Sequence, residues 1–296
     1  MTLAGCRELL ADARRRGAAL AAFNVITLEH AQAVAAGAAR VGAPAVLQLS
    51  QNAVAHHGGR LAPLAAALRA VAAEAPTALA LHLDHLDEGP LGRALLRAAP
   101  EAGFGSVMFD GSRLPAAENV AATAATVRFG REHGLLVEAE LGRIGGKPGD
   151  AHRPGVRTDP VEAAEFVRAT GVDALAVAVG SSHAMTERDA RLDHRLIARL
   201  RGSVAVPLVL HGSSGVPDDE LRRAIGAGMT KVNIGTALNI ALTAAVRKRL
   251  TADTALVDPR PYLTEGREAM TATVARLLTV LGQAPPAAGS ATAARP

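Results

Sequence analysis

Eight short apolar runs recur along the chain, each followed by a longer Ala-, Leu- and Arg-rich stretch with helical periodicity. The runs are "AALAAFN" (18–24), "PAVLQLS" (44–50), "TALALH" (77–82) and "GSVMFD" (105–110). They continue with "LLVEAEL" (135–141), "DALAVAV" (173–179), "PLVLH" (207–211) and "TKVNI" (230–234). Short apolar strands alternating with amphipathic helices predict parallel βαβ units, because parallel sheets are covered on both faces. The helices carry their own punctuation. Asp159, Pro160 and Glu162 supply a cap, a first-turn proline and an acid three residues on, and Gly171 marks the predicted end. Thr27 is placed to cap "LEHAQAVAAGAARVG", and Pro217 opens a further helix that ends near Gly226 or Gly228.

Eight strands with intervening helices in 296 residues match a single-domain α/β fold, the (β/α)8 TIM barrel, over residues 1–283. An open doubly wound sheet is the alternative. It is disfavoured because no Gly-x-Gly-x-x-Gly follows the first strand. Residues 284–296, "APPAAGSATAARP", are low in complexity and read as a disordered tail.

Composition narrows the function. A hydrophobic fraction of 49% supports a large core, and a net charge of only +4 gives no strong field. There are three lysines (Lys147, Lys231, Lys248), the arginines are scattered and aromatics make up 2%. That excludes a nucleic-acid groove, which needs basic stripes and stacking platforms. Cys6 is the sole cysteine, so no internal disulfide forms and a reducing compartment fits. No basic segment with an apolar core opens the chain, and no run reaches the ~18 apolar residues of a membrane span. The expectation is a cytoplasmic protein with no membrane partner.

In a barrel, catalytic groups collect at the C-terminal ends of the strands. The polar residues there are Asn24, Ser50, Asp84 with His85, Asp110, Glu138 with Glu140, His183, His211 and Asn233. His85, His183 and His211 are far apart in sequence but neighbours around a barrel mouth. Three imidazoles with an open fourth position make a catalytic zinc site. The plainer reading is that each histidine caps a strand or bonds within a loop. The remaining histidines, His82 among them, sit mostly on helices or loops and are read as structural or solvated. Gly-rich turns "VGSSHAM", "LHGSSGVP" and "NIGTALN" follow the last three strands, where barrels often bind phosphate.

The stretches "LHLDH", "SVMFDGS", "VEAELGRIGG", "TGVDALAVAVGSSHAM", "VPLVLHGSSGVP" and "TKVNIGTAL" together resemble the class II, metal-dependent ketose-bisphosphate aldolases. The resemblance runs from about residue 3 to residue 280. It implies a lyase of carbohydrate metabolism and glycolysis that cleaves fructose 1,6-bisphosphate to dihydroxyacetone phosphate and glyceraldehyde 3-phosphate. Tagatose 1,6-bisphosphate or another phosphorylated ketose or keto-acid is the alternative substrate. It implies one catalytic Zn²⁺ per subunit on His85, His183 and His211, with Asp110 and Glu138 as outer or alternative ligands. Asp84 would move the C4 hydroxyl proton, and the carbanion at C3 would become a zinc-stabilised enediolate. Ala184, Gly212, Ser213, Ser214, Asn233, Ile234, Gly235 and Thr236 would bind the substrate and its phosphate, with Asn24 and Ser50 as further candidates. A monovalent cation and a homodimer or homotetramer also follow from the resemblance.

Two departures stand out. Ala184 occupies a position where the family has Gly, and no Glu lies between Arg143 and Glu162, where many members carry a second proton carrier. Asp150 or His152 would substitute. Arg260 or Arg267 would hold the second phosphate. A Schiff-base aldolase would need Lys231, which lies low on its strand, and a non-catalytic barrel partner would lack the histidines and Asp84 that are present here.

Overall fold

The computed structural model describes residues 3–141, 156–182, 185 and 187–283. All eight apolar runs form strands: β1 (Leu20–Asn24), β2 (Ala45–Ser50), β3 (Leu79–Leu86), β4 (Ser106–Phe109), β5 (Leu136–Leu141), β6 (Ala174–Val177), β7 (Leu208–Leu210) and β8 (Met229–Ile234). Each pairs in parallel with its sequence neighbours, and β8 closes onto β1. The result is a closed (β/α)8 barrel. Its outer helices include α2 (Leu28–Val41), α4 (Leu61–Glu74), α7 (Pro160–Thr170) and α9 (Asp218–Ala227).

The local signals act as predicted. Asp159 Oδ1 accepts from the amides of Val161 and Glu162, and Gly171 ends α7 in the left-handed region at φ 69°. Thr27 begins α2 with a capping box whose partner is His30 rather than the usual Glu or Gln. The tail from residue 284 lies outside the described residues.

Strand parity divides the interior. Leu79, Leu81 and Leu83 of β3 belong to the large cluster between sheet and helices, as do Val137, Ala139, Val232 and Ile234. The alternate positions point into the barrel. Its lower half is a second cluster of small and medium side chains, among them Leu20, Ala22, Val46, Ala80, Leu136, Ala174, Ala176 and Val209. Cys6, Leu10 and Ala13 from α1 (Cys6–Arg15) complete that cluster. The short α1 therefore seals the barrel floor, and the alanines make room for it. The upper half is polar: Gln48, His82, Asp84, Glu138, Glu140, His211 and Lys231 are all buried.

Beyond β8, α10 (Thr236–Ala252) and α11 (Pro259–Val280) form a hairpin, and α11 packs against α2. That contact is tight. A Cβ on Gly37 of α2 would lie 2.6 Å from Val274 Cβ and 2.9 Å from the Thr271 carbonyl oxygen. Gly37→Ala is expected to lower stability by about 1–3 kcal/mol, since overpacking costs more here than the helix propensity gained. A urea midpoint equal to or above that of the parent protein would show that the two helices can part without loss. Among the described residues no helix is long and apolar enough to cross a membrane.

Candidate active site

The third strand runs four residues past the predicted end at His82, and this brings His82, Asp84 and His85 onto β3 itself. Between Leu83 and Leu86 the β3–β4 register shifts, and His85 takes φ 53°, the one positive φ of a non-glycine residue among those described. Such a bulge re-aims a side chain at a cost in backbone strain, a pattern concentrated at functional sites. The bulge lets two adjacent residues both address the barrel mouth. His85 meets the His211 ring edge-to-face, with centroids 4.9 Å apart.

Asp84, His85 and His211 each offer a ligand atom, and these atoms all lie within 4.8 Å of one another. His85, Asp110 and Glu140 form a second such group. His183, the third expected imidazole, lies outside the described residues, as do Ala184, Asp150 and His152. The buried Asp84 Oδ1 has no hydrogen-bond partner among the described residues, and Oδ2 is 3.7 Å from His85 Nε2. An orphaned buried carboxylate oxygen carries a desolvation cost that a cation or a proton would relieve.

Both rings are braced by carboxylates. His85 Nδ1 is 3.2 Å from Asp110 Oδ2, and Asp110 Oδ1 in turn accepts from the Ser112 amide and hydroxyl. His211 Nε2 is 3.0 Å from Glu138 Oε1, while Nδ1 faces Glu140 Oε2 at 3.5 Å. A carboxylate on one ring nitrogen orients the other toward a metal. Before the rings are counted, three carboxyl groups, on Asp84, Glu138 and Glu140, stand against the one amine of Lys231, all four side chains buried. A divalent cation suits that balance, and the donor set of imidazoles and carboxylates suits zinc.

The electrostatics follow from this packing. Burial opposes a charge on His211, but the hydrogen bonds and fields of Glu138 and Glu140 outweigh it and raise its pKa to about 9. Metal ligation therefore requires this ring to release a proton. Burial together with the Lys231 ammonium lowers His82 to about 3, so that ring is neutral. Glu138 is held ionised despite burial, chiefly by Lys231, then by His211.

Above these groups is a cleft of about 610 Å³, a size suited to a small molecule. Asn24, Ser50, Asp84, His85, Asp110, Asn233 and the two Gly-rich turns, Gly212 to Ser214 and Ile234 to Thr236, line it. Gly212 sits at φ 66°, and a Cβ there would come within 2.4 Å of the Ser182 carbonyl oxygen. Ser213 donates its hydroxyl to the Asn233 carbonyl, and Ser214 Oγ accepts from the Ala237 amide. These hydroxyls brace the turns, so a phosphate there would rely on backbone N–H groups more than the sequence suggests.

Other polar residues take definite places. His82 takes the structural of its two readings: it is buried, with Nδ1 2.8 Å from Ser106 Oγ inside the barrel. Neither Arg260, paired with Asp258, nor Arg267, bonded to Gln32, lines the cleft. Arg113 does, and it is the one Arg or Lys among the described lining residues. Glu140 also emerges as a ligand candidate alongside Asp110, whereas Glu138 lies behind His211. Lys231 does not line the cleft, and its ammonium is tied to Glu138 Oε2 at 2.7 Å, which removes the Schiff-base candidate from the substrate.

The description "Fructose-bisphosphate aldolase class-II" matches residues 4–285. The chain belongs to the class-II fructose-bisphosphate aldolase family. Among solved structures, the chain is similar to the YdjI aldolase of Escherichia coli K12 at 30% identity and a TM-score of 0.81, covering 95% of this chain and 98% of that one. A putative fructose-1,6-biphosphate aldolase from Coccidioides immitis is 29% identical at 0.81, covering 94% and 96%. The fructose-bisphosphate aldolase of Campylobacter jejuni shares the fold at 0.82 with 22% identity, covering 95% and 96%. The barrel fold is shared along almost the full length of each of these structures.

Proposed function

We propose that this family member reversibly cleaves a ketose 1,6-bisphosphate, with fructose 1,6-bisphosphate as the first candidate, to dihydroxyacetone phosphate and glyceraldehyde 3-phosphate. The observation that carries the proposal is the convergence of Asp84, His85 and His211 within 4.8 Å beneath a substrate-sized cleft. His85 and His211 would hold a zinc ion together with His183. The ion supplies positive charge against the ketose carbonyl oxygen and the electron pair left at C3. Asp84 takes the proton from the C4 hydroxyl, the C3–C4 bond breaks, and the aldehyde departs. The turns at Gly212 to Ser214 and Gly235 to Thr236 grip the phosphate of the dihydroxyacetone half, and Asn233 orients its oxygens. A proton must then reach C3. Asp150 and His152 remain the proposed sources, and the idea is lost if both alanine variants keep the parent kcat.

Arg113 supports a second anionic group on the substrate, since it puts a cation on the wall at β4, away from the phosphate turns. Leu28, Ile240 and Leu250 are exposed on α2 and α10, which supports the proposed homodimer or homotetramer. The deciding experiment offers purified protein fructose and tagatose 1,6-bisphosphates separately and follows triose phosphate release. The expected result is faster release from fructose. Equal rates would leave the family reading and remove the C4 preference, and no release from either would remove the bisphosphate reading.

A further inference from the structure

We infer that Lys231 is a positioning residue that sets the direction of two hydrogen-bond chains, fixing which His211 nitrogen addresses the metal and turning the amide donors of Asn24 and Asn233 toward the substrate. The inference rests on the metal reading above only for what that nitrogen is used for. The bond directions themselves stand on this chain's own contacts.

A lysine ammonium has three donors and no acceptor. Lys231 Nζ is buried and lies 2.7 Å from Glu138 Oε2 and 3.4 Å from Gln48 Oε1. Both partners must therefore accept. An ionised carboxylate accepts on both oxygens, so at Glu138 Oε1, 3.0 Å from His211 Nε2, the histidine must donate. That places a hydrogen on Nε2 and gives Nδ1 the lone pair that a metal needs.

The polarity then passes to Asn233. Its Nδ2 stands 3.1 Å from His211 Nε2, while its buried Oδ1 has no partner among the described residues. Two N–H groups facing each other repel. A half-turn of the carboxamide exchanges nearly isosteric atoms. It brings Oδ1 against Nε2–H, satisfies the orphan and points the NH₂ group elsewhere. Asn233 lines the cleft, so the NH₂ is presented to an oxygen-rich ligand.

The second chain runs the same way. With Oε1 of Gln48 facing Lys231, its Nε2 donates to Asn24 Oδ1 at 2.6 Å. Asn24 then has only its NH₂ to offer the cleft, which it also lines. One donor-only group below the cleft thus dictates three further hydrogen-bond polarities, His211 to Glu138, His211 to Asn233 and Gln48 to Asn24, and both chains end in donors suited to ketose hydroxyl, carbonyl or phosphate oxygens.

A reversal experiment tests this. In Glu138→Gln, the introduced amide must turn its oxygen to Lys231, so its NH₂ faces His211 Nε2 and drives the ring to the Nδ1–H form. Adding Lys231→Met frees that amide to turn its oxygen back to Nε2–H. Co²⁺ titration followed by ligand-field absorbance is expected to show Glu138→Gln weakened about 10–100-fold, with most of that loss recovered in the double variant. KM for the bisphosphate should rise in both variants, because neither retains the full set of polarities. Ring ¹⁵N shifts of His211 in the metal-free proteins at about pH 10, above the ring's raised pKa, read the tautomer directly. They should show Nε2–H in the parent, Nδ1–H in Glu138→Gln, and Nε2–H regained in the double variant. A merely structural pair would make the double variant no better than the single, and that result, or an unchanged tautomer, overturns the inference. If the parent takes up no Co²⁺ but the tautomers change as stated, the metal reading fails while the polarity assignment holds. Thermal unfolding of each variant shows that the comparison is made on folded protein.

Discussion

Removing divalent ions with a chelator is expected to reduce aldol cleavage at least about 10³-fold, and one equivalent of Zn²⁺ per subunit to restore it. The size follows from what the site otherwise offers. Losing a single positioned electrostatic donor costs on the order of 10²–10³ in rate, and an ion carries more charge than a hydrogen bond. No other group replaces it. Lys231 is committed to Glu138 and Gln48 out of reach of the cleft, and Arg113 is the one Arg or Lys among the described lining residues. His85→Ala and His211→Ala should behave like the chelated protein, and added Zn²⁺ should rescue them poorly, since each has lost an imidazole ligand and leaves the carboxylate that oriented it without that partner. Full activity in chelator, with substrate trapped on a lysine by borohydride, would replace the metal reading with Schiff-base chemistry.

The fold is legible in the pattern because strands buried on both faces read as unbroken apolar runs. Each of the eight runs forms a strand, and Asp159, Gly171 and Thr27 end or begin helices where local chemistry requires. The helix α1 escapes the pattern because half of its sequence, "CRELLADARR", is charged and it precedes the first apolar run. Its three buried side chains matter only once the barrel has closed over them. The site is legible in part. His82 reads as a solvated histidine when the strand is ended there, although it shares parity with Asp84 and with the interior Ala80. Read at period two, Leu81 and Leu83 outside place His82 inside. The bulge at His85 has no such signal, since a positive φ outside glycine answers to tertiary contacts. The position of Lys231 low on β8 is evident from the sequence. Its consequence is hidden there because Gln48, Glu138 and Lys231 come from three different strands, and their meeting depends on the register of the closed barrel.

Asp84→Asn is expected to lower kcat by about 10²–10⁴-fold while leaving divalent-ion affinity close to that of the parent protein. The carboxylate has two possible uses, because its oxygens lie near both histidines and within the metal-sized group. Asn keeps the shape and one carbonyl oxygen but cannot take a proton at neutral pH. If Asp84 is the group that receives the C4 hydroxyl proton, the substitution removes the reaction's base and spares binding. Its buried Oδ1, which has no hydrogen-bond partner among the described residues and is 3.8 Å from His82 Nε2, fits that use. The neutral His82 ring beside it places no cation against the carboxylate. If instead Asp84 were chiefly a ligand, losing its charge would weaken the ion first, and kcat measured at saturating metal would recover. Parallel metal titrations and saturating-metal kinetics on the Asn variant separate the two: a kcat that returns to the parent value once metal is in excess would move Asp84 out of the chemistry and into the coordination sphere.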